Sequence, residues 1–135
     1  MNERVLDHVG IAVTSLDDSI PLWETLLQSR ATGREVVESQ GVEVVFIGSG
    51  PARVELLAAT RPNSPVAQFV ERRGPGVHHL GYRVPHLPAA LESLRNEGYA
   101  LVDETPREGA HGRRVAFLHP RALHGVLVEL VEVTA

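Results

Sequence analysis

VLDHVGIAV at residues 5–13 and GVHHLGYRV at residues 76–84 are near-copies of one another. Aligning the two phrases places His8 against His79, at an offset of 71 residues. Both phrases are rich in valine, leucine and isoleucine, so each predicts a β-strand that carries a histidine. A histidine repeated in this way indicates that the chain is built from a duplicated unit.

A second repeated phrase contains carboxylates. RVELLA at 53–58 matches LVELVE at 127–132, and this alignment places Glu55 against Glu129. Each half of the chain therefore supplies one histidine early and one glutamate late. Two imidazoles and two carboxylates from a duplicated unit predict a four-ligand metal site on a pseudo-twofold axis.

Length and composition limit the class of protein. We expect one domain over residues 1–135, with internal repeats at approximately 4–60 and 76–133, because each half alone is too short to bury a full core. The net charge of −4 argues against nucleic-acid binding. No apolar run reaches the roughly 20 residues that span a membrane, and the first residues do not form a signal peptide. Cysteine is absent, which is typical of a cytoplasmic protein, the location we expect.

The periodicity of apolar residues predicts the order β-α-β-β-β in both halves, which is an α+β fold. Ser15 and Ser64 are predicted helix caps, although Pro21 suggests that the first helix kinks or begins nearer Ser19. The predicted strands are 4–14, 31–38, 42–48, 53–59, 77–84, 99–103, 113–119 and 125–133, and the predicted helices end near residues 28, 73 and 97.

Alternation along a strand indicates which residues share a face. His8 shares its face with Gly10, and His79 shares its face with Gly81. The opposite, apolar faces carry the preceding residues, Asp7 and His78. Alternation therefore selects His79 rather than His78 as a ligand, and the glycine beside each imidazole predicts open space for a bound ligand.

The two glutamates are predicted ligands because their strands are apolar. Glu129 lies in GVLVELVEV, and Glu55 has a similar setting in VELL. A lone strand histidine is most often structural and a lone glutamate usually faces solvent, but here the pair occurs twice at matching spacing. An unpaired buried carboxylate is costly, and a metal ion would offset that cost. Two imidazoles and two carboxylates suit cobalt, nickel, zinc, manganese or iron rather than magnesium or calcium.

This arrangement of histidine and glutamate in a doubled unit resembles the vicinal oxygen chelate superfamily. Six segments are similar, in order and over roughly residues 5–132, to the methylmalonyl-CoA epimerases of that superfamily: LDHVGIAV, QGVEVVFIG, VELL, NSPVAQFVERRGPGVHHLGYRV, PREGAHGRRVAFLHP and HGVLVEL. The resemblance implies two β-α-β-β-β modules in a curved, barrel-like mixed sheet around a divalent metal ion. Cobalt is expected first, with manganese, zinc or nickel as alternatives. The resemblance also implies a homodimer and an acyl-CoA substrate whose 2R and 2S epimers are interconverted.

Carried over by position, the implied metal ligands are the four residues of the repeat: His8, Glu55, His79 and Glu129. Glu129 is also the first expected catalytic proton carrier, and the second is expected to be Glu55, a group near Glu43 or a metal-bound water. There is one departure from the pattern, because some epimerases carry a catalytic glutamate three residues after the glycine of QGV, where this chain has Val44. The adjacent Glu43 is predicted to point to the opposite face of its strand.

The expected substrate contacts lie in the loop 107–113, whose backbone N–H groups would reach the substrate carboxylate. The predicted substrate-binding residues are Arg107, Gly109, His111 and Gly112. The CoA phosphates require cations, for which Arg72, Arg73, Arg107, Arg113, Arg114 and Arg121 are available.

Two other functions fit the pattern less well. A glyoxalase I-type lyase, acting on the hemithioacetal of glutathione and methylglyoxal, uses the same ligand set, but the GAHG and FLHP segments favour an epimerase. A small-molecule binding or resistance protein on the same fold commonly lacks the complete ligand set, which is intact here.

Overall fold

The computed structural model describes residues 3–51 and 53–133, which contain three α-helices and eight β-strands. The strands are β1 Leu6–Ala12, β2 Ala31–Val37, β3 Val42–Ile47, β4 Arg53–Ala59, β5 Gly76–Val84, β6 Arg107–Glu108, β7 Arg114–Leu118 and β8 Val128–Glu132. The helices are α1 Leu16–Leu27, α2 Pro65–Arg73 and α3 Leu87–Asn96. In this described part of the chain, none of the helices has the length and apolar character needed to cross a membrane.

All eight strands belong to one mixed sheet, in the order β2-β3-β4-β1-β5-β8-β7-β6. At the centre, β1 and β5 from the two halves pair in antiparallel fashion. Each of these strands pairs in parallel with the last strand of its own half, β1 with β4 and β5 with β8. The two halves therefore meet through the strands that carry the repeated histidines.

The sheet curls until its two edges meet. The Ser39 hydroxyl, just after β2, donates to the Glu108 carbonyl of β6 over 2.9 Å, and Arg107 donates to the Ser39 carbonyl over 3.1 Å. The backbone N–H of His111 donates to the Glu35 carboxylate of β2. These contacts join the first half to the second at the open side of the sheet, so the predicted barrel-like α+β fold is confirmed.

Apolar side chains pack on both faces of the curled sheet. On the convex face, Leu16 of α1 packs against Ile47 and Leu56, and α3 packs on β7 and β8 in the equivalent position. On the concave face, Val66 of α2 packs in one cluster with Phe46. Burial on both faces explains why apolar residues occur on both faces of the central strands.

The first helix begins where its cap predicts. Ser15 accepts a hydrogen bond from the Asp18 backbone N–H over 3.2 Å, and the helix continues through Pro21 to Leu27. The alternative start near Ser19 is wrong, because the cap satisfies the first turn before the proline is reached.

The predicted strand 99–103 is also wrong. Leu101 makes only an isolated bridge to Leu118, and the edge strand of the second half is the short β6. The Asp103 carboxylate accepts the Phe117 backbone N–H over 2.8 Å. A side chain thus takes the donor that a continuous strand would have bonded through its backbone.

Candidate metal centre

Four buried side chains meet on the concave face, and we call them the donor cluster: His8, Glu55, His79 and Glu129. The Nε2 atoms of His8 and His79 lie 3.0 Å apart. Glu129 Oε1 lies 3.0 Å from Nε2 of His8 and 3.6 Å from Nε2 of His79. Glu55 Oε1 lies 3.5 and 3.4 Å from the same two nitrogens. The structure therefore brings all four predicted ligands together.

The strand register explains why these side chains meet. One row across the sheet contains Phe46, Glu55, Gly10 and His79, and the other contains Phe117, Glu129, Gly81 and His8. In each row, a glycine separates the glutamate of its own half from the histidine of the other half. Each half alone thus holds only part of each row.

The two glycines make room for the imidazole rings. A Cβ added at Gly10 would lie 2.2 Å from Cε1 of His79, and a Cβ added at Gly81 would lie 2.2 Å from Cε1 of His8. The expectation that these glycines leave open space for a bound ligand is therefore wrong, because the ring of the opposite strand fills that space. Glycine permits this close approach between a strand and a neighbouring ring.

Two β-bulges place a second polar residue beside each histidine. In the pairing of β1 with β5, Asp7 and His78 are extra residues that have no partner in the register. Asp7 is fully buried, with its Oδ2 2.8 Å from His8 Nδ1, and His78 Nδ1 lies 3.0 Å from His79 Nδ1. Alternation places His79 in the donor cluster correctly, but its assignment of Asp7 to a face away from His8 is wrong because a bulge interrupts alternation.

The imidazoles and carboxylates of the donor cluster stabilise each other's charge. Burial lowers the pKa of His8, but hydrogen bonds to Asp7 and Glu129 outweigh it and raise the pKa to about 10. Burial also opposes the charge on His79, yet bonds to Glu129 and Glu55 raise its pKa to about 9. Burial disfavours the ionised Glu129, but the two histidines lower its pKa below the ordinary value. The buried carboxylates therefore require positive charge between them, from protonated imidazoles or from a metal cation.

The donor cluster fits a divalent transition-metal ion. Ligand atoms of His8, His79 and Glu129 lie within 4.8 Å of one another, and Glu55 offers a fourth donor. Donors that are each about 2.1 Å from a common ion lie about 3.0 to 3.4 Å apart, and His8 Nε2 lies 3.0 Å from both His79 Nε2 and Glu129 Oε1. The ligand roles and the identity of the metal stay predictions.

Val44 stands where some relatives carry a catalytic glutamate. Its side chain is buried on the concave face in one cluster with Phe46. The neighbouring Glu43 points to the other face of β3, where its Oε2 accepts from Arg34 Nε over 3.1 Å. Glu43 thus lies away from the donor cluster, as alternation predicts.

The predicted substrate-binding residues lie in β6 and in the segment that joins it to β7 and contacts the edge strand β2: Arg107, Gly109, His111 and Gly112. The N–H of Gly109 donates to the Arg113 carbonyl, and the N–H of His111 donates to the Glu35 carboxylate. These two N–H groups hold the segment in place. Arg107 lines a cavity beside the donor cluster, and the substrate-binding role of the segment stays a prediction.

Two cavities border His78, the residue before His79 of the donor cluster, and share Pro65, His78 and Leu127 in their walls. The inner cavity, of about 170 Å³, is bounded by Gln40, Arg107 and Phe117. The outer cavity, of about 480 Å³, includes His79 and extends along α2 to Arg72 and Arg73. The sequence contains no local signal for these cavities, because they form between α2 and a distant loop at 120–127.

A comparison with known families places the chain. The family model described as the Glyoxalase/Bleomycin resistance protein/Dioxygenase superfamily matches residues 7–117, a range that includes three of the four donors. The chain belongs to this superfamily. The predicted superfamily and its fold are therefore confirmed.

Proteins similar to this chain include several that are named as acyl-CoA epimerases. The ethylmalonyl-CoA/methylmalonyl-CoA epimerase of Cereibacter sphaeroides is 35% identical over 95% of this chain and 97% of its own length. The crystal structure of methylmalonyl-CoA epimerase from Mycobacterium tuberculosis is 38% identical, with a TM-score of 0.92 over 97% of this chain and 89% of that chain. A variant of the Streptomyces coelicolor enzyme, in complex with 2-nitronate-propionyl-CoA, is 32% identical, with a TM-score of 0.93 over 99% of this chain and 97% of that chain. The chain is thus a member of the epimerase family of enzymes, as its sequence predicts.

Proposed function

We propose that this protein is a divalent-metal-dependent epimerase that interconverts the 2R and 2S forms of methylmalonyl-CoA. The observation that carries the proposal is the donor cluster, which lies inside a chain similar to such epimerases over nearly its whole length. His8, Glu55, His79 and Glu129 would hold the metal ion. When bound, the ion would supply positive charge against the thioester and carboxylate oxygens of the substrate.

Epimerisation requires a proton carrier on each side of one carbon. The α-carbon of the substrate lies between a thioester carbonyl and a carboxylate, so deprotonation makes it planar and spreads its charge onto oxygen. Glu129 and Glu55 lie on the two pseudo-symmetric rows and approach the centre of the site from opposite halves. We assign the proton on one face of the α-carbon to Glu129 Oε1 and the proton on the other face to Glu55 Oε1.

The second carrier is assigned to Glu55 because other carboxylates lie elsewhere. In residues 3–51 and 53–133, the walls of the two cavities contain no Asp or Glu. The Glu43 carboxylate is hydrogen-bonded to Arg34 on the opposite face of β3, and the Asp7 carboxylate is hydrogen-bonded to Arg83 and Arg113 behind His8. Glu55 is the remaining carboxylate that touches both imidazoles from the side of the first half.

The cavities suit the CoA portion of the substrate. The inner cavity, with walls of Val66, Val102 and Phe117, would take the acyl group and thioester close to the donor cluster. The outer cavity would take the pantetheine chain along α2. At its far end Arg72 and Arg73 are exposed, and guanidinium groups bind phosphate with two parallel hydrogen bonds.

The test is exchange of the substrate α-hydrogen in deuterated water. The protein is stripped of metal, reloaded with cobalt, manganese, zinc or nickel in turn, and supplied with methylmalonyl-CoA or ethylmalonyl-CoA. We expect exchange and loss of stereochemical purity only in reloaded samples. Absence of metal-dependent exchange would overturn the proposal. Turnover of the methylglyoxal–glutathione hemithioacetal in place of the acyl-CoA would instead indicate a lyase of the glyoxalase I type.

A further inference from the structure

The residues before the two cluster histidines occupy equivalent positions but have different chemistry. Asp7 and His78 are each the extra residue of a β-bulge, and each touches Nδ1 of the following histidine. The Nε2 atoms of both histidines face the donor cluster. The partner at Nδ1 therefore decides which tautomer each histidine adopts and whether Nε2 is free to bind an ion.

Asp7 is held as an ionised acceptor. Its Oδ1 accepts from Arg83 Nε over 2.9 Å, and the two terminal nitrogens of Arg113 bind its two oxygens over 3.0 Å each. An ionised carboxylate only accepts hydrogen bonds, so His8 Nδ1 must donate, and the proton that a metal ion displaces is the one on Nε2.

His78, unlike Asp7, is not restricted to accepting hydrogen bonds. Its ring lies edge-on to the Phe69 ring at 4.9 Å and forms part of the walls of both cavities. Among the described residues, the side-chain hydrogen bond of its ring is to His79 and not to a carboxylate. A neutral imidazole has one donor and one acceptor nitrogen, so it can meet either tautomer of His79.

We propose that Asp7 is a positioning residue that holds His8 in the Nδ1–H tautomer with Nε2 free for the metal ion, and that His78 exerts no such control on His79. His8 is then the anchored ligand and His79 the adjustable one. The inference rests on the metal site of the proposed function, but it concerns ion binding and not turnover.

The test compares two substitutions at equivalent positions. In Asp7→Asn, the amide must direct its NH₂ group either at His8 Nδ1 or at the arginine donors, and the first orientation places the proton of His8 on Nε2. We expect the zinc dissociation constant of this variant, measured by competition with a chromophoric chelator, to rise about 10- to 100-fold. The control, His78→Asn, keeps a neutral group with a donor and an acceptor, so its constant should stay within about threefold of the parent value. A folded Asp7→Asn protein with unchanged affinity, or an equal loss in the control, would overturn the inference.

A second measurement uses the unaltered protein and therefore does not depend on a variant that folds. In the zinc-loaded protein, long-range proton–nitrogen NMR spectra should show His8 protonated at Nδ1 and bound to zinc through Nε2. Binding of zinc through His8 Nδ1 would contradict the inference. If methylmalonyl-CoA is not turned over but Asp7→Asn still loses zinc affinity, the epimerase proposal fails and the positioning role stands.

Discussion

The two halves of the molecule contribute equivalent residues to the donor cluster but different residues around it. Each half supplies a glutamate beside its own glycine and a histidine beside the glycine of the other half. Behind His8, the buried Asp7 binds arginines, whereas behind His79 the equivalent His78 borders two cavities. In the second repeated phrase, the residue that matches Arg53 is Leu127.

This difference distinguishes the residues that both halves contribute from those that only one half contributes. The shared features, a glycine flanked by a histidine and a glutamate, are those that a four-donor site requires. The features that differ lie at the two ends of the cluster. Asp7, at the His8 end, is bound in an ion-pair network, whereas the His79 end borders an open cavity of about 480 Å³. The arrangement anchors one side of the site and leaves the other side accessible to a long substrate.

The largest effect should come from removing each proton carrier in turn. We expect Glu129→Gln and Glu55→Gln to reduce epimerisation of methylmalonyl-CoA by about 10²- to 10⁴-fold each. If the two carriers serve opposite faces, each variant should still exchange the α-hydrogen of one pure epimer in deuterated water, and the retained epimer should differ between them. Loss of the same epimer in both variants, or normal epimerisation by Glu55→Gln, would break this division between the halves.

Substitution of Gly10 or of Gly81 should weaken zinc binding and lower stability to a similar extent. A methyl group at Gly10 or Gly81 would lie 2.2 Å from an imidazole carbon, so the ring must leave the cluster. We expect Gly10→Ala and Gly81→Ala to weaken zinc binding by at least about tenfold and to lower the free energy of unfolding by about 1 to 3 kcal/mol. Gly76→Ala is the matched control on β5, because nothing lies within 4 Å of its added Cβ. Its zinc affinity and urea unfolding midpoint should equal those of the parent.

Metal binding should release protons from both histidines. The pKa values of His8 and His79 are raised to about 10 and about 9, so both rings are protonated near neutral pH and compete with a cation. We expect about two protons to be released per ion, measured by calorimetry in buffers of different ionisation enthalpy. Affinity should rise with pH until these pKa values are passed. A histidine whose pKa is higher in the folded than in the unfolded chain stabilises the fold. This stabilisation is complete below the unfolded pKa of about 6.5, so the metal-free protein should lose stability as pH rises from 6.5 towards 10. Release of a single proton would show that only one half is charged.

The smallest effect concerns Arg53, which has no cationic counterpart in the second half. Its guanidinium lies 4.2 Å from the centre of the Phe46 ring and 3.7 Å from Asp7 Oδ2. Arg53→Leu would make the first half resemble the second at this position. We expect a loss of about 1 kcal/mol or less in urea unfolding, since Arg83 and Arg113 still bind Asp7. A much larger loss would mean that Arg53 is essential to the Asp7 network.

The donor residues could be predicted because duplication repeats their spacing. His8 and His79 share an offset, as do Glu55 and Glu129, and the register places all four in two rows. The place of Asp7 could not be predicted in this way, because alternation assumes an uninterrupted strand and each bulge adds a residue. The phrases themselves held a signal, since Asp7 and His78 are adjacent to the predicted ligands and differ in a repeat that is otherwise closely matched.

Features that depend on contacts between the halves were beyond sequence reasoning. The bonds that join Ser39 to Glu108 connect residues 69 positions apart, and no local pattern indicates them. The bond from the His111 backbone N–H to the Glu35 carboxylate likewise joins the two halves, and no local pattern indicates it. The error at the predicted strand 99–103 arises instead within one half, because its apolar residues are typical of a strand but the Asp103 side chain replaces a ladder bond.

The bulges at Asp7 and His78 have a consequence for how such a site could change over generations. A site assembled from two identical half-length chains would carry the same residue at both bulges, since one codon would specify both. Joining the halves in one chain gives each bulge its own codon. A mutation can then place an acid behind one histidine and a neutral ring behind the other, so linkage of the two halves allows the ends of a once-symmetric site to specialise separately.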